Sequence, residues 1–313
     1  MLIRRLVVAF GTLAAISVLL FAGSEVMPGD AASSSLGIGA TIEQIEQLRA
    51  EWGLDRPLPE RYVEWASTAL TGDLGTSLSA RRPVTGLIAE PLAFTTLLVA
   101  LSALITVLLS MVIGLAAGLR PGSRLDRVLL STALVLVSTP QFVTAGLLVL
   151  LFATALGLLP AVSLVPLGGT PLDRPEILVL PVATLSIFAT AWAATVVRAT
   201  VIDANALPNV EAARLAGLPE RRVIRRHLLP ATVPACAQMF GWLVGGLFGG
   251  TAVVEQVFNY PGLSGVLISA VHNHDAPVLE GVGLLLAAIV LAALVLADLV
   301  GTLADPRLRA GTT

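Results

Sequence analysis

Lysine is absent from this 313-residue chain, and all 19 of its basic residues are arginine. A Walker A loop requires a lysine that reaches the β- and γ-phosphates of the nucleotide. The chain therefore cannot bind ATP in that way. Any ATP-driven process in which it takes part needs a partner that holds the nucleotide.

Cysteine is nearly absent as well, since the chain has only Cys236. A single thiol excludes a disulfide framework or a thiolate metal cage within the chain. Cys236 lies in an apolar stretch, which predicts a small buried side chain rather than a reactive thiol. The net charge of −2 argues against nucleic acid as a partner, because nucleic acid requires a basic surface.

Charged residues make up only 13% of the chain, whereas hydrophobic residues make up 56%. A soluble domain carries roughly a quarter charged residues, and a surface that faces lipid cannot tolerate so many. The composition therefore predicts an all-α, polytopic membrane protein. Six apolar stretches approach or exceed the about 20 residues that a helix needs to cross a bilayer. They are residues 6–26, 92–119, 128–156, 177–197, 228–254 and 281–303.

The first apolar stretch has the layout of a signal peptide, because Arg4 and Arg5 precede it. Its apolar run is slightly longer than the h-region of a signal peptide, so we interpret residues 1–27 as a retained transmembrane helix. The remaining segments follow from this assignment. They are an extracytoplasmic helical loop at 28–91, a transmembrane core at 92–304 with cytoplasmic helices at 205–227, and a cytoplasmic tail at 305–313.

The arginines set the orientation, because short cytoplasmic loops carry an excess of positive residues. With six spans and a cytoplasmic N-terminus, every short inner segment contains arginine. These residues are Arg4, Arg5, Arg120, Arg124, Arg127, Arg198, Arg214, Arg221, Arg222, Arg225, Arg226, Arg307 and Arg309. We therefore predict a multi-pass protein with both termini in the cytoplasm.

The long loop at 28–91 contains two helical patterns, at 41–52 and 58–70, which Gly53 and Gly72 terminate. A folded segment of this size on the outer face fits a docking surface for a solute-binding partner. It fits equally well a packing cap over the outer mouth of the bundle.

The segment between the fourth and fifth spans predicts a stiff helical elbow on the cytoplasmic side. Residues 211–216 form helix readily, and Gly217 supplies the left-handed conformation that ends such a helix. Pro219 stands where proline opens a second helix, at its first position. Arg221 and Arg222 fall on the side of that helix opposite its apolar residues. A stiff elbow can transmit force between a soluble partner and membrane helices, which a floppy loop cannot.

The same segment resembles the E-A-A-x-x-x-G signature of binding-protein-dependent ABC importer permeases. Glu211, Ala212, Ala213 and Gly217 occupy its fixed positions, and His227 replaces the isoleucine that usually begins the I-x-L-P that follows. Further stretches are similar to the dipeptide, oligopeptide and nickel permease family, and in particular to the first permease subunit of such systems. These stretches are residues 28–30, 53–59, 72–77, 138–142, 254–263 and 305–307.

The resemblance implies a type I ABC importer permease fold in the bacterial inner membrane. It implies the transport of di- or oligopeptides, nickel or another small solute. The implied partners are a homologous second permease, two ATPase subunits that hold ATP and Mg²⁺, an extracytoplasmic solute-binding protein and membrane lipid. The chain itself would have no catalytic residue, metal or cofactor. The residues expected to couple it to the ATPase subunits are Glu211, Ala212, Ala213, Gly217, Arg221 and Arg222.

Four residues are candidate hinges for such a transporter. Pro140 and Pro181 predict helix kinks, which serve either as hinges or as static features of helix packing. The other two are Pro261 and Gly262, which lie in the resembling stretch at residues 254–263.

Polar residues in the last outer loop and in the sixth span suggest two further candidate sites. His272, His274 and Asp275 suggest a transition-metal site, but nothing supplies a closed ligand set. Asp298 lies within the sixth span, where a carboxylate is a functional candidate by default. Its place about 10 Å along the helix from Asp305 favours a hydrogen-bonded structural role.

A secondary transporter and a membrane enzyme are the alternatives to a subunit of an ATP-driven importer. A self-sufficient secondary transporter predicts midplane charges and an inverted repeat, and beyond Asp298 we find neither. A membrane enzyme needs acid–base groups, whereas the chain has three histidines and no metalloprotease or nucleophile motif.

Overall fold

The computed structural model describes residues 2–27, 29, 31–36, 39–166 and 168–304. Pro28, Asp30 and the predicted tail at 305–313, with Arg307, Arg309 and the 305–307 stretch, lie outside the described residues. Within the described ranges the regular structure is helical, apart from one antiparallel bridge between Thr76 and Pro83.

The described residues form thirteen α-helices. These are α1 (Leu2–Val26), α2 (Ala31–Leu36), α3 (Ile42–Glu51), α4 (Leu58–Leu70), α5 (Val84–Gly118), α6 (Arg124–Ser138), α7 (Gln141–Leu148), α8 (Glu176–Asn205), α9 (Pro208–Leu215), α10 (Glu220–Val223), α11 (Leu229–Val257), α12 (Leu263–His272) and α13 (Ala276–Ala304). Two π-helical segments, Val149–Ala155 and Ile224–Leu228, follow α7 and α10, and a 3₁₀ turn covers Pro171–Asp173.

The polytopic all-α prediction is confirmed. In the described part of the chain, five helical stretches are long and apolar enough to cross a membrane, and a sixth is counted if one bent pair is a single span. The five are Ile3–Val26, Val84–Gly118, Glu176–Asn205, Glu220–Val257 and Ala276–Gly301. The helix α5 begins at Val84, inside the segment that we assigned to the outer loop, and Pro91 lies within it.

The third span was predicted as one helix over 128–156 and is instead broken. The helices Arg124–Ser138 and Gln141–Ala155 meet at an angle of 103°. Pro140 is the cause, because it disfavours helical geometry at the residue before it and cannot donate a backbone hydrogen bond. Thr139 accordingly has extended backbone angles, with φ of −87° and ψ of 126°. Pro140 therefore marks a break between two helices rather than a kink inside one.

Pro181 lies within α8, which runs as one helix from Glu176 to Asn205, and the kink at this residue stays a prediction. A proline removes the hydrogen bond to the carbonyl four residues earlier, which here belongs to Ile177. That carbonyl accepts a hydrogen bond from the Ser163 hydroxyl at 2.7 Å. The backbone N–H of Ser163 donates to the carbonyl of Phe258 at 2.7 Å. The loop before α8 thus satisfies the carbonyl that the proline leaves free.

The chain divides into two compact units, one of residues 1–95 and 261–291 and the other of 96–260 and 292–313. The core of the first is built from the three helices α5, α12 and α13, with Leu74 packed against them. Its buried members are Val84, Ile88, Leu263, Ala270, Val278 and Val282. Pro261 and Gly262 lie where the chain passes from the second unit back to the first, and their role as a hinge stays a prediction.

The core of the second unit centres on α8 and α11. Its buried members are Ala193, Val197, Val201, Ala204, Leu228, Cys236 and Met239, so the prediction of a buried Cys236 is confirmed. The helix α5 packs closely on α8, because a Cβ at Gly114 or Gly118 would lie 2.7 Å from the Cβ of Val197 or Val201.

Candidate functional site: the helical elbow

The predicted elbow is present and consists of α9, the turn at Gly217 and α10. We call residues 208–223 the elbow from here on. Pro208 opens α9 at its first turn, where a missing N–H costs nothing. Only two residues separate α9 from the end of α8 at Asn205. The elbow is therefore tied directly to a membrane helix at its first end.

Gly217 ends α9 through a pair of backbone hydrogen bonds. Its φ is +76°, and its N–H donates to the carbonyl of Arg214 at 2.9 Å. The N–H of Leu218 donates to the carbonyl of Ala213 at 3.2 Å. This is a Schellman motif, which requires the left-handed residue that we predicted. A Cβ at Gly217 would meet nothing within 4 Å, so the demand for glycine is conformational and not a matter of space.

The second arm of the elbow runs without interruption into a membrane helix. Pro219 is the N-cap of α10, one position before the first helical residue where we predicted it. A π-type hydrogen bond from the N–H of Leu229 to the carbonyl of Ile224 follows. A widened turn suits this place, because the ring of Pro230 would crowd the carbonyl four residues earlier in a regular α-helix. The whole run Glu220–Val257 is one continuous helical stretch.

An arginine clamps the two arms together. The Nη2 of Arg214 donates to Asn205 Oδ1 at 2.7 Å and to Glu220 Oε1 at 2.8 Å. Its Nε donates to Glu220 Oε2 at 3.2 Å. The hydrogen bonds to the Glu220 carboxylate raise the pKa of Arg214 further above its usual value. One side chain thus joins the end of α8, the helix α9 and the start of α10.

The elbow has its own apolar interior and one exposed face. Val210, Ala213 and Val223 are buried against one another, with Leu207 and Leu218 packed beside them. Ala213, which we placed among the coupling residues, is only 7% exposed. Its side chain therefore packs inside the elbow, and its part in coupling stays a prediction.

The exposed face of α9 carries Glu211, Ala212, Leu215 and Ala216. Leu215 is 83% exposed and offers an apolar side chain that another surface can cover. The sequence prediction did not single out Leu215, although its spacing of four residues from Glu211 places both on one helix face. Arg221 and Arg222 are also exposed, beside the buried Val223.

A buried ion pair lies near the elbow and was not predicted. Arg198, two turns before the end of α8, pairs with Asp126 of α6, whose side chain is almost fully buried. The Nη2 of Arg198 donates to Asp126 Oδ2 at 2.9 Å, and the N–H of Gly122 donates to the same oxygen at 2.8 Å. The membrane helix that leads into the elbow is thereby fixed to α6.

Among the residues that the structure describes, no group of three or more His, Cys, Asp or Glu side chains is placed to hold a metal ion, and this includes His272, His274 and Asp275. Asp275 accepts hydrogen bonds from the hydroxyls of Ser77 and Ser79 at 2.6 Å each. It also accepts them from the backbone N–H groups of Leu78 and Ser79 at 3.1 Å. His274 Nδ1 lies 3.0 Å from the hydroxyl of Ser34. The carboxylate therefore serves to hold the 77–79 turn.

Comparisons with known proteins agree with this architecture. Residues 110–310 match the family described as binding-protein-dependent transport system inner membrane component, and residues 1–99 match the N-terminal family of such membrane components. A Brucella abortus protein described as a peptide transport system permease is 32% identical over 99% of this chain and 98% of its own length. A glutathione transport system permease of Pectobacterium atrosepticum is 33% identical over 98% of each chain.

One solved structure, titled as an amino acid ABC transporter with histidines, aligns with a TM-score of 0.49 and 20% identity. The alignment covers 72% of this chain and 94% of that one.

Proposed function

Because the chain belongs to the family of inner membrane components of binding-protein-dependent transport systems and is a membrane-spanning permease subunit, we propose that it imports di- or oligopeptides. The relatives reported above are described as peptide and glutathione permeases and align with nearly the whole chain. Glutathione is itself a small peptide, so both descriptions name one chemical class of substrate. Nickel and other small solutes rank behind peptides.

The elbow is the element through which we propose that ATP drives transport. Its first arm leaves α8 after two residues, and its second arm continues as α11 without a break. A push on the exposed face of α9 therefore moves two membrane helices as one lever. This continuity of backbone is the single observation that carries the proposal.

The proposed partners follow from this arrangement. Two ATPase subunits bind ATP and Mg²⁺, and each receives the elbow of one of two homologous permeases in a surface cleft. A solute-binding protein delivers peptide from the extracytoplasmic side, to which the sequence assigns the loop at 28–91. Closure of the ATPase pair shifts the permeases between inward- and outward-facing states, which differ in packing and not in chemistry. In this arrangement the chain lies in the bacterial inner membrane, and the elbow and both termini are on its cytoplasmic side.

The exposed Leu215 provides a direct test. In the purified complex, Leu215→Asp should reduce copurified ATPase subunit about tenfold, because a charge replaces an apolar anchor at the proposed contact. Leu70→Asp is a matched control, since Leu70 is also a leucine at the end of a short helix and is 85% exposed. The control should retain its ATPase subunits.

Uptake completes the test. Proteoliposomes with the full complex, loaded binding protein and internal ATP should accumulate radiolabelled trialanine, and those without ATP should not. Normal copurification and uptake in the Leu215→Asp variant would overturn the proposed role of the elbow. Uptake without ATP or ATPase subunits would overturn the proposed function and favour a secondary transporter.

A further inference from the structure

A groove in the second unit has the features of a substrate surface. It encloses about 570 Å³ between α7, α8 and α11, a volume typical of small-ligand sites. Its wall is mostly aliphatic, but it carries the amides of Gln141 and Gln238 and the rings of Phe188, Trp192 and Trp242. None of the described residues that line it is charged.

A second groove of the same unit, on the side of α8 that faces α5 and α6, provides the contrast. It encloses about 730 Å³ and is lined by aliphatic side chains, with only the hydroxyls of Thr132, Ser186 and Thr190 among them. The hydroxyl of Ser186 donates to the carbonyl of Ser102 in α5 at 3.4 Å, so it is satisfied within the protein, and the described part of this wall contains no side-chain amide. A glutamine amide facing hydrocarbon would be costly. The first groove therefore requires a polar occupant.

Asp298 gives one of these amides a fixed orientation. The Nε2 of Gln238 donates a long hydrogen bond of 3.4 Å to Asp298 Oδ1. Because a carboxylate only accepts hydrogen bonds, the nitrogen of this amide faces Asp298 and its oxygen is left for another donor. Close packing supports the pair, since a Cβ at Gly241 would lie only 3.2 Å from the Cα of Ala297.

Gln141 gains its place from a glycine on the facing helix. A Cβ at Gly250 would lie 3.3 Å from both the oxygen and the nitrogen of the Gln141 amide. Gln141 is the first residue of α7, directly after the break at Pro140. Because of the break, the Gln141 amide lies at the groove, where a straight helix through 128–156 would not place it.

We propose that this groove contacts the main chain of the transported peptide, with Gln141 and Gln238 bonding its amide groups and the indoles covering its side chains. The inference rests on the proposed peptide transport. Backbone amides are the feature that all peptides share, and an uncharged amide and aromatic wall recognises them without selecting a charged side chain. Asp298 is a positioning residue that keeps the Gln238 oxygen available.

Cysteine labelling tests the proposal, because Cys236 is the sole cysteine and is only 4% exposed. Gly246→Cys places a thiol in the groove, and Gly249→Cys places one outside it on the same helix. Both glycines are exposed, and a Cβ at either meets nothing within 4 Å. The variants are made in a Cys236→Ala background, or in the native one if that substitution prevents insertion.

In the full complex with ATP, a membrane-impermeant thiol reagent should label position 246 about tenfold faster than position 249, since only the groove contains water. Trialanine with its binding protein should slow labelling at 246 several-fold and leave 249 unchanged. The Asp298→Asn variant should lose this protection but keep the basal labelling rate. A purely structural role of Asp298 would change both rates.

Each contrary result has a distinct meaning, and trialanine uptake is measured in the same vesicles. No labelling at 246 shows that lipid fills the groove. Labelling of the isolated chain but not of the complex shows that the second permease covers it. Labelling that trialanine does not slow, with normal uptake, shows that the peptide passes elsewhere. All three overturn the proposal while leaving peptide transport standing, whereas loss of uptake in the unsubstituted protein would remove its premise.

Discussion

The elbow and the segment at 41–83 are both made of short helices that end at glycines, yet they are attached to the membrane helices differently. In the segment, α3 carries a capping box in which Thr41 and Gln44 bond to each other's backbone. Beyond α4, residues 71–83 contain no helix but one antiparallel bridge between Thr76 and Pro83, and the carboxylate of Asp275 holds their 77–79 turn. The elbow is joined to membrane helices at both ends by nearly continuous backbone.

The comparison distinguishes a segment that is stiffly continuous with membrane helices from one that is attached through side-chain contacts. A helix that continues into another transmits displacement along its axis, because every residue is held by backbone hydrogen bonds. The 77–79 turn has backbone hydrogen bonds of its own, such as that from the N–H of Ser77 to the carbonyl of Arg82 at 2.9 Å, but it is fixed to the rest of its unit by the carboxylate of Asp275. The elbow therefore suits an element that must transmit force, and the 41–83 segment suits one that holds a surface in place.

The largest effect is expected at the glycine of the elbow. Gly217→Val should abolish ATP-driven uptake, because a β-branched residue at a φ of +76° is strained by roughly 1–3 kcal/mol. Gly217→Asn is the control, since asparagine tolerates the left-handed conformation and a Cβ has room there. Membrane insertion of both variants should be normal. Wild-type uptake by the valine variant would contradict the role of this turn.

The next effect is expected at the carboxylate that holds the 77–79 turn. Asp275→Ala leaves two hydroxyls and two backbone N–H groups without their acceptor, which should destabilise the turn by roughly 3 kcal/mol. Limited proteolysis should then cut within residues 71–83. Asp73→Ala is the control, because its carboxylate accepts a single exposed hydrogen bond from Gly75. Equal protection of the two variants from proteolysis would show that Asp275 does not hold the turn.

Local sequence signals predicted the elbow well. Gly217 and the alternation of buried Val223 with exposed Arg221 and Arg222 are determined within a few residues, where helix caps and periodicity act. The resembling motif added the coupling role, which local physics alone does not contain.

Long-range partners escaped the sequence analysis. The pairing of Asp126 with Arg198 joins residues 72 positions apart, and Asp275 finds its donors 196 to 198 positions away. A pattern within one helix carries no information about which helix lies opposite. For the same reason the groove remained hidden, since Gln141 and Gly250 come together only through packing.

The bend at Pro140 was underestimated for a different reason. Proline predicts a disturbed helix but not its angle, because kinked and broken helices begin with the same missing hydrogen bond. At Pro181 the helix continues, and the hydroxyl of Ser163 satisfies the carbonyl that the proline leaves free. The local sequence around each proline does not contain that neighbour.

The smallest effect concerns the arginine clamp of the elbow. Arg214→Gln removes an ion pair with Glu220 whose two side chains are 34% and 55% exposed, so solvent screening limits its contribution to about 0.5–1 kcal/mol. Because Arg214 also donates a hydrogen bond to Asn205 at the end of α8, the substitution weakens the link between the two arms of the elbow. Amide hydrogen exchange in α9 should therefore quicken about two- to fivefold, and uptake should fall only modestly.

Arg56→Gln is the matched control for the clamp. Arg56 pairs with Glu64 at 2.6 Å, with side chains 49% and 60% exposed, and it joins no third element there. Its loss should change exchange in α4 by less than about twofold, as for most surface pairs. If both substitutions altered their helices equally, the elbow would be no stiffer than the 41–83 segment. The contrast between the elbow, as an element that transmits force, and the 41–83 segment, as one that holds a surface in place, would then rest on backbone continuity alone.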